Sequence, residues 1–415
     1  MTDDIGFDRG LLRPVEGCAP VCYFLGAGFS AATRYKFPTS VGFLTRDFEC
    51  HGPDHKRGTT LVRSSYDAGR PELKGLLDRI AEQYGTPETL NLETVMTDLY
   101  IRAFGLGEAW ELRRPRVGAA QDYSVPALRR DYTALLAYIV ARLQIKDTEP
   151  FSCPLTDRLV NSLKRQDSVL TLNYDTIVEA HCQEYDKGDR IRRMGSWIGP
   201  PGSTKGGIAP AMFRDFRQDE RGVFAKLHGS IDWFTCPNEA CPNHSYIQSM
   251  SWWYSSAYGR RGTLLDPRCQ ACGRAPDTVI VPPIATKPFE RFPKLNVMWS
   301  QSCQALRRAR RWVFIGVSFA TTDVHLQGLL RGASRDTVCF GPDEADPGQI
   351  CVVNKTYECA EKAARRLLGS LSPEALEGMD RHGNKVSLFE SVEQYLRAVE
   401  QVDAVREDLP ERELI

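Results

Sequence analysis

An α/β fold, a parallel sheet with helices on both faces, is predicted by three observations. Short apolar runs of strand length alternate with segments of helical period. Several of these runs stop at small or polar residues. The first of them, Val21-Cys22-Tyr23-Phe24-Leu25, ends in Gly26-Ala27-Gly28, with the Ser30 hydroxyl two residues on. A strand-to-helix turn of this kind brings backbone N–H groups up to a phosphate, and glycine removes the Cβ that would hold the ligand away. Ala31 stands where the third glycine of a dinucleotide fingerprint would fall.

In chain order, Phe37-Pro38-Thr39-Ser40 predicts the cap of a helix starting near Val41. From about 72 to 146 the period is helical. Leu92, Val95, Met96, Leu99, Tyr100 and Ala103 recur at steps of three and four, as do Tyr132, Leu135, Leu136, Ile139, Val140 and Leu143. This stretch reads as a helical insertion, drawn at 50–150 within a domain of 18–402. Ser168–Thr171 predicts a strand ending in Leu172-Asn173-Tyr174-Asp175. Residues 183–222 are rich in Arg, Gly and Pro without periodicity. Further strands are expected at Gly222–Leu227, ending in His228-Gly229, then at Thr278–Pro283, Trp312–Ile315 and Ile350–Val353. The last of these reads as the final clear strand, followed by helices around 357–369 and 389–401. Asp323 reads as the cap of a helix carrying Leu326, Leu329 and Leu330. In an open α/β sheet ligands bind beyond the carboxyl ends of the strands, so these polar ends are expected to share one cleft.

Composition narrows the class. The 415 residues are 42% hydrophobic and 26% charged, as in a globular protein. Lys+Arg and Asp+Glu each number 53, so no bulk charge draws the chain to nucleic acid or an anionic membrane; a local basic groove stays open. No apolar run approaches the roughly 20 residues that span a bilayer. Met1-Thr2-Asp3-Asp4 lacks the layout of a secretory signal, and the thirteen cysteines read as reduced thiols of a cytoplasmic protein. Cys236-x4-Cys241 and Cys269-x2-Cys272 form two pairs, the arrangement of a four-cysteine zinc ribbon over 232–277, with His244 as an alternative ligand. Trp252, Trp253 and Tyr254 inside it read as packing.

Taken in order, Gly26-Ala27-Gly28-Phe29-Ser30, Thr171-Leu172-Asn173-Tyr174-Asp175 and Lys226-Leu227-His228-Gly229-Ser230 resemble the core motifs of the sirtuin (SIR2) superfamily. The likeness continues through Cys269–Gly273, Ile315-Gly316-Val317-Ser318 and Val353-Asn354. Tyr35–Ser40 and Pro282–Lys287 depart from the loops with which protein deacylases hold an acyl-lysine peptide. Ile315–Phe319 with Asp323, Leu329 and Leu330 is similar to SIR2-like NADases of bacterial anti-phage systems. The resemblance implies a Rossmann-like sheet, a structural Zn2+ and hydrolysis of NAD+ to nicotinamide and ADP-ribose. It also implies a homo-oligomer or an ATPase or other defence partner; a role for nucleic acid is left open.

For such a reaction His228 is the expected proton acceptor, or else a histidine satisfied in a turn. Asn173 would bind the ribose or orient water, with a helix cap as the alternative. Asp175 would meet the carboxamide or cap the next helix. Ser30 and Ser318 would donate to phosphate or cap helices, with Gly26, Ala27, Gly28 and Gly316 lining the nucleotide. Asn354 would bind the adenosine ribose or close a turn, and Asp323 reads mainly as a cap. The competing functions are a protein-lysine deacylase and a non-catalytic nucleotide- or nucleic-acid-binding module.

Overall fold

A computed structural model describes residues 5–13, 19–44, 71–86, 89–105, 124–143, 153–164, 166–179, 181, 222–244, 247–249, 269, 271–274, 277–284, 287–289, 292–335 and 348–407. Residues 183–221 and the Trp252–Tyr254 cluster lie outside the described residues. The strands are β1 (Phe7–Arg9), β2 (Val21–Leu25), β3 (Ser168–Thr171), β4 (Phe224–Lys226), β5 (Gly229–Thr235), β6 (Gln248–Ser249), β7 (Asp277–Ile280), β8 (Arg311–Ile315), β9 (Gln349–Val353) and β10 (Val386–Phe389). The chain divides into two compact units. One comprises Met1–Arg34, Ser152–Val279 and Glu290–Ile415, and the other Tyr35–Phe151 with Ile280–Phe289.

In the first unit seven strands form one sheet in the order β1-β10-β9-β8-β2-β3-β4. Every pairing in it is parallel. Every residue of β2, β3, β8, β9 and β10 is buried, which requires cover on both faces of the sheet and explains the unbroken apolar runs. From β2 the chain steps to β3 and β4 on one side; from β8 it steps to β9 and β10 on the other. Right-handed crossovers therefore send the two sets of connecting helices to opposite faces. The expected Rossmann-like architecture is what forms, and its switch point lies between β2 and β8.

Register brings the strand ends level. Leu25 stands opposite Thr171 on one side and Ile315 on the other. Thr171 in turn faces Lys226, and Ile315 faces Val353. Gly26, Leu172, Leu227, Gly316 and Asn354 thus leave the sheet side by side.

Several elements differ from the sequence reading. Val386–Phe389 forms a further strand, β10, inserted between β1 and β9, so β9 is not the last. Four residues after Asn384-Lys385 give too short an alternation to separate from a loop. A helix at Pro373–Arg381, capped by Ser372, also went unpredicted. The 278–283 stretch, expected beside the other strands, supplies β7 to a separate three-stranded sheet, order β6-β5-β7. Its polar start at Asp277-Thr278 leaves one end exposed or half-buried.

The second unit is built on helices Pro71–Tyr84, Leu92–Tyr100 and Val125–Arg142. Leu76, Ile80, Val95, Met96, Leu99, Leu128, Tyr132, Leu135 and Ile139 are buried, the stripe that the helical period predicts. Asn91 caps the second helix by accepting from Glu93 N at 2.8 Å, and Ser124 caps the third. No helix starts at Val41. That residue pairs with Asn91 in an isolated bridge, and Gly42 turns the chain at φ +75°. A positive φ suits glycine and ends the helical option there.

Candidate functional site at the carboxyl ends of the sheet

All of the groups described next belong to the first unit. The glycine turn comes first because the rest is fitted to it. Gly316 has φ +66° and follows β8, next to the turn that follows β2. A Cβ on Gly26 would stand 2.5 Å from Gly316 O, and one on Gly28 2.7 Å from Gly316 Cα. Gly26 N donates to Ile315 O at 2.9 Å and Gly28 N to Gly316 O at 3.0 Å. These glycines are therefore required by the close approach of two strand ends, and their N–H groups are used inside the protein. The N–H groups of Gly26 and Gly28 are thus committed to the neighbouring strand end. Ala27, exposed at the head of the Ala27–Ala32 helix, is the one of the three whose N–H does not go to β8.

The loop after β3 is tied to the same turn. Asn173 Nδ2 donates to Gly26 O and to Ser30 Oγ, both at 2.9 Å, and Asn173 N donates to Thr171 Oγ1 at 3.0 Å. Both amide protons are thereby used, which leaves Oδ1 as the atom of this side chain able to act on a water or hydroxyl. Ser30 Oγ donates to Asp175 Oδ2 at 2.6 Å, so its proton goes to a carboxylate and not to a phosphate. Asp175 Oδ1 accepts from Ile177 N at 3.1 Å, the capping alternative of its two readings.

Beneath this loop lies a residue that the sequence reading passed over. Lys226, fully buried, donates to Tyr174 O, to Asp175 O and to Glu179 Oε1, the last at 2.6 Å. A charged residue inside the run Phe224-Ala225-Lys226-Leu227 was the available signal, since lysine is buried only when paired. Immediately beyond it, His228 is 6% exposed. Its ring lies 6.4 Å from that of Tyr174 and 5.9 Å from that of Trp299, whose Nε1 donates to Leu227 O at 3.0 Å. Ser230 Oγ and Ile231 N both donate to Tyr174 O, at 3.2 and 2.9 Å, which stitches the His228 turn to the Asn173 loop. His228 Nε2 stands 3.9 Å from Asp323 Oδ2.

Of the remaining candidates, Ser318 is exposed and its carbonyl accepts from Arg366 Nη1 at 3.1 Å. Asn354 Oδ1 accepts from Lys355 N at 2.9 Å, the local turn contact of its bland reading. The structure thus brings Gly26, Ala27, Gly28, Ser30, Asn173, Asp175, His228 and Gly316 together, and gives the Asn354 side chain a local turn contact.

The cysteine pairs also meet. Cys236, Cys241, Cys269 and Cys272 place their Sγ atoms within 4.8 Å of one another. Cys236 Sγ lies 3.4 Å from Cys272 Sγ, and Cys241 Sγ 3.6 Å from Cys269 Sγ. Two thiolates on a tetrahedral zinc are about 3.8 Å apart for a Zn–S bond of about 2.3 Å, so the set fits Zn2+. Burial pushes the Cys269 thiol up, but backbone N–H groups of Cys272 and Ala271 and the Asn243 amide outweigh it and hold it down near 6, readying a thiolate ligand. His244, the alternative ligand, is not needed: the four cysteines form the cluster without it, and its Nδ1 is hydrogen-bonded to Cys236 O at 2.8 Å. Four thiolates close the coordination sphere, which gives the metal a structural and not a catalytic part. No described cysteine is in a disulfide.

No protein-family model matches the chain, and no curated protein does. The chain is similar to Sir2 proteins of known structure. One, solved in work on the mechanism and regulation of Sir2 enzymes, is 14% identical over 94% of each chain, with a TM-score of 0.39. A Sir2 homologue variant in complex with ADP-ribose is 13% identical over 94% of each chain, with a TM-score of 0.35. A Sir2 complex with a p53 peptide and NAD+ is 13% identical over 93% of this chain and 94% of the other, with a TM-score of 0.30.

Proposed function

We propose that this chain is an NAD+ hydrolase that cleaves the nicotinamide–ribose bond to give nicotinamide and ADP-ribose. The observation that carries the reading is the stitched set of loops at the switch point. Asn173 is pinned to the glycine turn and His228 is pinned to the Asn173 loop, on neighbouring strand ends. The three ordered sequence motifs supply the residue types. Expelling nicotinamide from its cationic form needs no general acid; it needs a held ribose, excluded water and one proton acceptor. His228 takes the proton from the attacking water or ribose hydroxyl, and Asn173 Oδ1 accepts from that nucleophile and fixes its direction. Ala27 N–H and the Gly26–Gly28 backbone border the nucleotide. Zn2+, held by Cys236, Cys241, Cys269 and Cys272, fixes the fold of the small sheet.

The reading takes 18–402 as one catalytic domain with insertions at 50–150 and 232–277. Resemblance to the SIR2-like NADases extends the proposal to an NAD+-depleting effector of anti-phage defence, acting as a homo-oligomer or beside an ATPase. The deciding experiment incubates the purified chain with NAD+, with and without an acyl-lysine peptide, and follows nicotinamide. Peptide-independent release that Asn173→Ala and His228→Ala abolish is expected. Release only with the peptide would make the chain a deacylase, and tight nucleotide binding without turnover would make it a binding module.

A further inference from the structure

Asp323 closes the first turn of the helix Val324–Arg335: its Oδ1 accepts from Leu326 N at 3.2 Å. Its other oxygen is aimed elsewhere, at the His228 ring, with Oδ2 3.9 Å from Nε2; the side chains are 11% and 7% exposed. A helix cap needs one carboxylate oxygen, so the second contact is not explained by capping. The loop that delivers Asp323 is firmly held. Phe319, at φ +48°, is a non-glycine residue in the left-handed region, 4% exposed and packed on Phe314 with ring centroids 5.0 Å apart. Such a conformation persists where surroundings over-determine it. Asp323 N donates to Ala320 O at 3.0 Å, and Gln327 Nε2 to Thr321 O at 3.0 Å.

We infer that Asp323 is a positioning residue for the reaction, an acidic partner that orients the His228 imidazole and stabilises the imidazolium formed when His228 takes the proton. This rests on the reading of His228 as proton acceptor. The proton moves from the nucleophile to a ring nitrogen and is not passed on to Asp323. Other titratable groups around the ring do not replace it. Lys226, two residues back, is paired with Glu179. Asp175 is turned to Ser30 and Ile177. The Tyr174 ring stands 6.4 Å from that of His228, and His325 packs on Trp299 with ring centroids 6.2 Å apart. Among the described residues Asp323 is the carboxylate within ion-pair distance of the ring, and an opposite charge favours the charged form of its neighbour.

The chemistry of the cap makes the test clean. Asn and Ser cap helices about as well as Asp, so both Asp323→Asn and Asp323→Ser keep the Leu326 contact; Asn removes the charge at nearly the same shape, and Ser removes the charge together with the oxygen that faces His228. The seven histidines can be followed by NMR in the full chain, with His228 assigned through His228→Gln. In both variants the His228 titration midpoint is expected at lower pH than in the wild type. The acidic limb of the NAD+-cleavage profile should move the same way. Turnover should fall roughly 10- to 100-fold, short of the ~10²–10⁴-fold cost of losing a general base outright. Asp323→Glu should restore part of the midpoint. An unmoved midpoint in the folded Asn and Ser variants overturns the inference whatever the turnover. A moved midpoint in a chain that never cleaves NAD+ overturns the proposed function and leaves the ion pair standing.

Discussion

At the amino ends of β2, β3 and β8 the sheet buries Asp167, whose two oxygens accept from Val21 N at 2.9 Å and Lys164 N at 2.8 Å. Arg311 and Gln349 are bonded to each other nearby at 3.1 Å, and Gln349 to Ser387 at 2.9 Å. At the carboxyl ends the same sheet buries Asp175, Lys226, His228 and Asp323. Burial pushes the Asp167 carboxyl up to about 6, which by perturbation alone would make the amino end a candidate site. Yet two backbone N–H groups hold that carboxylate, and Arg311, Gln349 and Ser387 bond to one another from neighbouring strands. At the other end, loops from different strands tie to one another, through Asn173 to Gly26 and Ser30 and through Ser230 to Tyr174. A perturbed carboxyl marks burial; a functional site needs reactive atoms from separate loops aimed together.

That contrast can be broken at four points. His228→Ala should lower nicotinamide release by ~10²–10⁴-fold with the thermal midpoint nearly unchanged, whereas Asp167→Ala should lower stability and leave turnover per folded molecule intact. Measuring both quantities on both variants would collapse the distinction if the roles came out reversed. Lys226→Met leaves the half-buried Glu179 without its cation, and the loss should approach the roughly 3 kcal/mol lower end for a broken buried pair in denaturant titrations. Here stability and turnover should fall together, because the same ammonium holds the Tyr174–Asp175 backbone.

Gly316→Ala puts a Cβ against the backbone of Gly28 and Phe29 at a positive φ. Overpacking and left-handed strain add to about 2–4 kcal/mol, read as a lower urea midpoint. The smallest effect is a pH dependence. Asp167 has a folded value of about 6 against 3.8 for the free group, so the folded state binds its proton more tightly than the unfolded chain. Its stabilising contribution is full below about pH 4 and is lost as pH rises through about 6, at most about 3 kcal/mol. Asp167→Asn should flatten the urea midpoint between pH 4 and 6; an unchanged slope would mean that the amino end is not the source.

Much of the scaffold was legible because it follows from local chemistry. Unbroken apolar runs at 21–25, 312–315 and 350–353 could only be fully buried parallel strands, and Cys236, Cys241, Cys269 and Cys272 carried metal spacing in the chain itself. Asn173 and His228 were readable as polar residues at strand ends. Asp323 was readable mainly as a cap, since nothing along the sequence connects a helix start near 323 with a turn at 228. Ser30 was readable as a donor, but its acceptor, Asp175, lies 145 residues away.

By itself, then, the sequence determined which residues could be strands, which could bind metal and which could move a proton, since these depend on side-chain type and short spacing. Tertiary structure alone decided that Gly26 and Gly28 serve the close approach of Gly316, and that a helix cap also faces an imidazole. Those outcomes arise from register: strands aligned level at Leu25, Thr171, Lys226, Ile315 and Val353 set distant loops within hydrogen-bonding reach. No local pattern encodes that alignment, because it is fixed by the packing of the whole sheet.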